Sequence, residues 1–182
     1  MEETTKKKKM TEIGSAIEEL SVLSIAKTTI VTTEKEAINI INLPLKPLLS
    51  FCNIIVQVLD KIGPTMAVLR HDIDQNIQRL EKMWESDPLV YSNLVEILRK
   101  EAKEGSSRKP KSCSRAALWL TRYVALKLVP NNNTFINVLA AKDETHQMVQ
   151  DDITSLISLL IPLLSQLHSI LELYEVSKLK SP

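Results

Sequence analysis

Apolar residues recur at helical spacing through most of this chain, and this periodicity constrains the fold more than any other feature. The first regular stretch has an apolar face formed by Leu48, Leu49, Cys52, Ile55, Val56 and Leu59. The chain of 182 residues contains 3 glycines, which disfavours the many tight turns of an all-β fold. We therefore expect an all-α fold with one domain and a hydrophobic core.

The helices are bounded by prolines, glycines and serines. After the first helix, which begins near Leu45, we predict helices over about residues 65–85, 89–104, 112–128, 135–140 and 143–182. Gly63-Pro64 either kinks the helix that begins near Leu45 or opens the next helix. Ser86-Asp87-Pro88 indicates a helix end followed by the start of another helix. Pro162 predicts a kink or break in the last helix.

The domain is expected to occupy residues 45–182, with residues 1–44 as an N-terminal extension that is partly disordered. A short helix near 13–23 is predicted inside the extension, and the stretch 31–34 is ambiguous, with a loop as one interpretation. The basic run 6–9 is either a solvated tail or a weak contact with anionic lipid.

Composition excludes several classes of function. The net charge of +1 gives no electrostatic reason to expect nucleic-acid binding. Cys52 and Cys113 lie far apart without metal-ligand spacing, so neither a metal site nor a disulfide framework is predicted. No convincing secretory signal is present, and the expected location is the cytosol. No cofactor is expected.

An enzyme is the weakest interpretation of the chain. The sequence has no glycine-rich phosphate loop, no nucleophile elbow and no metal-ligand cluster. Asp72 and Asp74 would point about 160° apart on a helix, so they do not form an acid–base pair.

Two polar trios follow the edges of apolar helices. Asp72, Asn76 and Arg79 lie at positions i, i+4 and i+7, within about 60° of one another on the helix surface. They flank the apolar stripe, so they form either an ordinary solvated edge or a polar recognition site beside an apolar cavity. A carboxylate, an amide and a guanidinium together can hold hydroxyl groups and an amide.

The second trio is Arg115, Trp119 and Arg122, which have the same spacing. The face of Trp119 could support a sugar ring or an apolar chain, and Arg115 could bind a phosphate bidentately. The alternative is a core tryptophan between arginines that extend to solvent.

Together the segments Asp72-x-x-x-Asn76-x-x-Arg79 and Leu118-Trp119-Leu120-Thr121-Arg122 resemble the glycolipid transfer protein family, especially its plant members. The resemblance covers about residues 45–122 and resumes from 125 to about 174. It implies a two-layer helical fold that holds a sphingolipid, glycosylceramide or ceramide-1-phosphate. The head group would lie on a surface polar patch and the chains in an apolar pocket between the layers.

The resemblance also implies a role for each site residue. Asp72 corresponds to an aspartate that contacts the head group and the ceramide amide, and Asn76 to the asparagine of sugar-binding members. Arg79 takes the place of a basic residue, and Trp119 that of a tryptophan that stacks on the first sugar. Arg115 corresponds to one of two arginines that clasp phosphate in ceramide-1-phosphate members. The expected head-group site is therefore mixed.

One family feature is missing. The resemblance implies a Trp-His-Gly-Trp motif after the second trio, with a histidine that bonds the ceramide amide, but Arg122-Tyr123 joins directly to the end of that later segment. His71, His146 and His168 do not correspond to it. We interpret the chain as an internally shortened form whose fold is incomplete.

Two functions remain open from the sequence. The first is non-enzymatic sphingolipid binding and intermembrane transfer, with transient contact with membrane surfaces. The second is a lipid-incompetent shortened form that acts as a helical protein-interaction module. Because the shortening removes inner elements, the apolar residues of 153–171 would need another partner, and self-association through that helix is one outcome.

Overall fold

The computed structural model describes residues 12–25, 29–33, 36–40, 42–128 and 146–179, and it is helical as expected. The elements in chain order are α1 (Glu12–Ile25), β1 (Thr29–Thr33), β2 (Glu36–Ile40), α2 (Leu45–Ile62), α3 (Ala67–Ser86), α4 (Leu94–Lys103), α5 (Cys113–Leu128) and α6 (His146–Leu173). The short helix predicted over 135–140 lies outside the described residues.

Gly63 separates α2 from α3, as the sequence predicts. Its φ of 109° lies in a region that residues other than glycine rarely adopt. Its N–H donates to the carbonyl of Leu59 at 3.2 Å. A single 3₁₀ turn, Pro64–Met66, then leads into α3. The apolar stripe of α3 is anchored by Ile73, Ile77 and Leu80, which are all buried.

Helix α4 begins five residues later than the sequence indicates. Asn93 is its N-cap, and the side-chain oxygen of Asn93 accepts from the N–H of Val95 at 3.0 Å and from that of Leu43 at 3.1 Å. Asp87 instead closes a separate turn, in which its carboxylate accepts from the N–H of Val90 at 3.2 Å. The prediction that the helix starts at 89 was wrong because the cap lies after Pro88.

Helix α6 continues through Pro162, so a break at this proline is excluded and the alternative, a kink, stays a prediction. The helix ends at Leu173, well before residue 182. Glu175 adopts a φ of 57°, and the N–H of Val176 donates back to the carbonyl of Leu171 at 2.8 Å. This left-handed residue satisfies terminal carbonyls and turns the chain away from the helix axis.

Part of the predicted extension packs on the helical domain. Helix α1 contacts both α2 and α6, and it buries Ile13, Ala16, Leu20 and Leu23. The stretch 31–34, which its sequence leaves ambiguous, overlaps strand β1, which pairs antiparallel with β2 in the register Thr29↔Ile40 to Thr33↔Glu36. The domain boundary at residue 44 stays a prediction.

The helices form two layers. Helices α1, α2 and α6 pack in one layer, α3, α4 and α5 in the other, and the layers meet where α2 contacts α3 and α5 contacts α6. By length and composition Asp151–Leu173 could cross a membrane, but Leu156, Leu160 and Leu163 are buried inside this fold. The apolar face of α6 thus has a partner within the chain, and α1 supplies much of it.

Candidate head-group site

A surface cavity of about 360 Å³ lies between α3 and α5. Its lining consists of Asp72, Gln75, Asn76, Arg79, Pro110, Arg115, Trp119 and Tyr123. All five residues that the sequence singled out as site residues are in this group. Two helices that are distant in sequence therefore present both polar trios, apart from Arg122, to one space.

Helix α3 supplies the carboxylate, amide and guanidinium of the cavity. Asn76 is 8% exposed, and its Nδ2 donates to the backbone carbonyl of Asp72 at 2.7 Å. Its Oδ1 accepts from Nη1 of Arg79 at 3.3 Å. The asparagine thus fixes the arginine on one side, and Asp72 lies at the other end of the row.

Helix α5 is held against this row by a buried carboxylate from α4. Glu101 is 6% exposed, and its two oxygens accept from the N–H groups of Cys113 and Ser114, both at 2.7 Å. The hydroxyl of Ser114 donates to the same carboxylate at 2.5 Å. A negative group at a helix N-terminus satisfies free N–H groups and interacts favourably with the helix dipole. Glu101 therefore fixes the start of the helix that presents Arg115 and Trp119.

Charge is distributed unevenly over the cavity. Asp72 and Arg79 are seven positions apart on α3, which corresponds to a rise of about 10 Å. Helix α5 begins beside the Arg79 end, where the Cys113 thiol is 3.7 Å from the Arg79 carbonyl. Arg79 and Arg115 consequently form a cationic end, Asp72 forms an anionic end, and Trp119 lies between them.

Arg122, the last member of the second trio, does not line the cavity. Its Nη2 donates to the carbonyl of Ser177 at 3.1 Å, and its guanidinium lies 5.1 Å from the centre of the Trp119 ring. Arg122 thus connects α5 to the segment after α6 and backs the tryptophan.

Tyr123 is a cavity residue that the sequence reasoning missed. It lines the cavity together with Asp72, and its ring centroid is 5.9 Å from that of Trp119. Burial raises the pKa of Tyr123, and the negative charge of Asp72 raises that pKa further, so the phenol stays neutral at physiological pH. Its spacing of four residues from Trp119 was the available signal.

The space between the layers is small. A gap beside the cavity is lined by Leu48, Phe51, Cys52, Ala117, Leu120, Thr121, Val124, Leu163, Leu164 and Leu167, and its volume is about 10 Å³. A single water needs about that much room. This gap between the described helices is therefore too small to hold a lipid chain.

These features define a helical fold with a polar surface site. The site lies beside the apolar gap between the two layers, which we call the seam. Residues 43–127 match the family profile described as Glycolipid transfer protein (GLTP). The chain is 80% identical over 226 positions to "Glycolipid transfer protein 3" of Arabidopsis thaliana, which covers 100% of this chain and 97% of that protein. The chain belongs to the glycolipid transfer protein family.

Solved structures support the same fold. The GLTP-fold structure that describes how FAPP2 selects simple glycosphingolipids superposes with a TM-score of 0.62 at 19% identity, covering 87% of this chain and 96% of the other. The crystal structure of mouse ceramide-1-phosphate transfer protein in its apo form superposes with a TM-score of 0.65 at 14% identity, covering 91% and 99%. The two-layer GLTP-like fold is therefore confirmed.

The alignment with the Arabidopsis protein also bears on chain length. It extends over 226 positions, whereas this chain has 182 residues, so about 44 positions of that relative have no counterpart here. At 80% identity over 226 positions, the number of identical positions is almost as large as the number of residues in this chain. Missing positions, more than substitutions, therefore distinguish the two proteins.

Proposed function

We propose that this chain binds a sphingolipid and carries it between membrane surfaces without chemical change. The observation that carries the proposal is the single cavity that joins Asp72, Asn76, Arg79, Arg115 and Trp119. A carboxylate and an amide can bond head-group hydroxyls, and the tryptophan face can support a sugar ring. These groups recognise and hold a ligand, and the proposal assigns no catalytic step to them.

The head group has two candidate chemistries, because the cavity has two ends of opposite charge. The anionic end and Trp119 suit a glycosylceramide, whose sugar offers hydroxyl donors. The cationic end, with Arg79 and Arg115, suits the phosphate of ceramide-1-phosphate. We favour the glycosylceramide, because Asn76 is a neutral amide and holds Arg79 through its own oxygen.

Extraction requires transient contact with a membrane and an opening between the layers. The gap lined by Ala117 and Leu120, on the helix that bears Trp119, is the proposed place for the lipid chains. Because its volume is about 10 Å³, it would have to widen to admit them. The proposed location is the cytosolic face of membranes.

A second candidate function follows from the closed gap and the missing positions. A chain that cannot open the seam would act as a helical interaction module, or would associate with a second copy, instead of carrying lipid. Leu160, one of the apolar residues of 153–171 that were expected to need another partner, is 1% exposed and belongs to the core. Ile161, which is 53% exposed, is the better position for testing an interface on α6.

Transfer of fluorescent sphingolipid between vesicles tests the proposal. Galactosylceramide and ceramide-1-phosphate would be compared with the wild-type chain, Asp72→Val and Asp74→Val. Asp74 is a matched control, because it lies on the same helix and bonds Gln78 at 3.2 Å outside the cavity. We expect transfer that Asp72→Val reduces at least about tenfold and Asp74→Val leaves unchanged, because a lost bond to a charged group costs about 1.5–3 kcal/mol. No transfer by the folded wild-type chain would favour the interaction module.

A further inference from the structure

Tyr123 is the third member of an unbroken row on α5. Arg115, Trp119 and Tyr123 follow one another at intervals of four residues, and all three line the cavity. The family motif ends at Arg122, one residue earlier, so the resemblance assigns no role to the tyrosine. Its place in the site follows from the way this particular chain continues after the motif.

The phenol ring extends the aromatic surface of the cavity. The ring planes of Trp119 and Tyr123 are inclined at 35°, with their centroids 5.9 Å apart. Two rings in this arrangement form a shallow apolar floor that is larger than either ring alone. A sugar or the start of a lipid chain can rest on such a floor through its C–H groups.

The hydroxyl adds hydrogen-bonding capacity at the anionic end. A tyrosine hydroxyl donates one hydrogen bond and can also accept, whereas an ionised carboxylate only accepts. Because Tyr123 and Asp72 line the same cavity, the Tyr123 hydroxyl can donate its proton towards the carboxylate and keep its oxygen lone pairs for a ligand. Together the two side chains present acceptors to incoming hydroxyl or amide N–H donors.

We propose that Tyr123 contacts the bound sphingolipid directly: its oxygen accepts from a hydroxyl or amide N–H of the lipid, and its ring extends the Trp119 platform. The inference rests on the proposed sphingolipid binding. The accepting oxygen of Tyr123 makes the anionic end of the cavity selective for ligand groups that donate hydrogen bonds. It also provides a polar contact from α5 beside Asp72 in a chain that lacks the family's Trp-His-Gly-Trp motif.

Equilibrium binding measured through Trp119 emission tests this role. Trp84→Phe would serve as the background, since it leaves Trp119 as the one tryptophan of the chain. The titrant would be phosphatidylcholine vesicles containing galactosylceramide, with glycolipid-free vesicles as the blank. We expect Tyr123→Phe to weaken binding about 3- to 10-fold and Tyr123→Ala to weaken it further, because the alanine variant loses the ring as well. The thermal unfolding of both variants would also be measured, so that binding is compared at a temperature at which each variant is folded.

Tyr91→Phe is the matched control, because Tyr91 pairs with Lys100 and lies outside the cavity. Unchanged or tighter binding by Tyr123→Phe, or equal weakening by Tyr91→Phe, would overturn the role of Tyr123. Asp72→Val separates the two levels of the proposal. If the wild-type chain binds, Asp72→Val does not, and Tyr123→Phe matches the wild type, then the role of Tyr123 alone fails. If the folded wild-type chain gives no saturable signal, the proposed function fails and the role of Tyr123 fails with it.

Discussion

The two tryptophans of the chain have different surroundings and therefore different expected roles. Trp119 lines the cavity, with Tyr123 on one side and Arg122 beside its ring. Trp84 lies near the end of α3, where the ammonium of Lys46 is 3.8 Å from the centre of its ring. A cation–π contact of this kind is a local surface interaction.

Replacing each tryptophan by alanine should separate ligand binding from stability. We expect Trp119→Ala to weaken galactosylceramide binding at least about tenfold, because a ligand loses its flat apolar support. Trp84→Ala should leave binding unchanged within about twofold. Vesicle binding, measured by sedimentation with radiolabelled lipid, avoids dependence on tryptophan emission. Equal losses in the two variants would argue against Trp119 as the platform.

The positions of the site residues were predictable where helical geometry alone decides them. The spacing of Asp72, Asn76 and Arg79 places them on one face of α3, and they line one cavity in the structure. Arg122 belongs to the same i, i+4, i+7 set as Arg115 and Trp119, which predicted that it would share their site. Its guanidinium instead donates to the carbonyl of Ser177, 55 residues away in sequence. No local pattern reveals such a long-range contact. For the same reason the position of Tyr123 in the same cavity as Asp72 was not predicted.

At the scale of elements, one carboxylate on α4 binds the first residues of α5. Glu101 accepts three hydrogen bonds from the first residues of α5, whereas Glu96 on the same helix forms a surface pair with Arg99 at 2.7 Å. The first group is buried and the second is exposed to solvent screening. Loss of the Glu101 bonds should loosen the helix that presents Arg115 and Trp119.

Urea unfolding of two glutamine variants can test this difference. Glu101→Gln replaces an accepting oxygen by an NH₂ group that faces backbone N–H donors, so we expect a loss of about 1–3 kcal/mol in the free energy of unfolding. Glu96→Gln should change that free energy by less than about 1 kcal/mol. If the two variants have equal stability, Glu101 does not fix α5.

Element boundaries were predictable where a local signal sets them. Gly63 and the Ser112–Ser114 segment mark real helix ends. The start of α4 was misplaced because Asn93 is held by Leu43, a residue 50 positions away. The role of α1 was also underestimated, since its packing on α2 and α6 depends on tertiary contacts that a short amphipathic segment does not show by itself.

Two positions on α1 test its contribution to the core. Leu20 is 1% exposed, whereas Val22 on the same helix is 45% exposed. We expect Leu20→Ala to lower the free energy of unfolding by about 2–4 kcal/mol and Val22→Ala to lower it by less than about 1 kcal/mol. Chemical denaturation monitored by circular dichroism would measure both values. Similar small losses would mean that α1 is not part of the cooperative unit.

At the scale of the whole molecule, a family fold persists although about 44 positions of a near-identical relative are absent. The apolar face of α6 is covered by α1 and α5, so the expected unpaired surface is largely buried. The consequence is a tight seam: the polar cavity is open, but the adjoining gap has a volume of about 10 Å³. Under the proposed function, carrying a lipid would require this gap between the described helices to widen.

Native mass spectrometry after incubation with galactosylceramide vesicles tests the account most directly, because it detects lipid removed from the membrane. The purified full chain would be separated from the vesicles, and its mass would be compared with that of Asp72→Val. Our account predicts one lipid molecule per wild-type chain and none with Asp72→Val. A folded wild-type chain that leaves the vesicles without lipid, or an Asp72→Val chain that carries as much as the wild type, would contradict it.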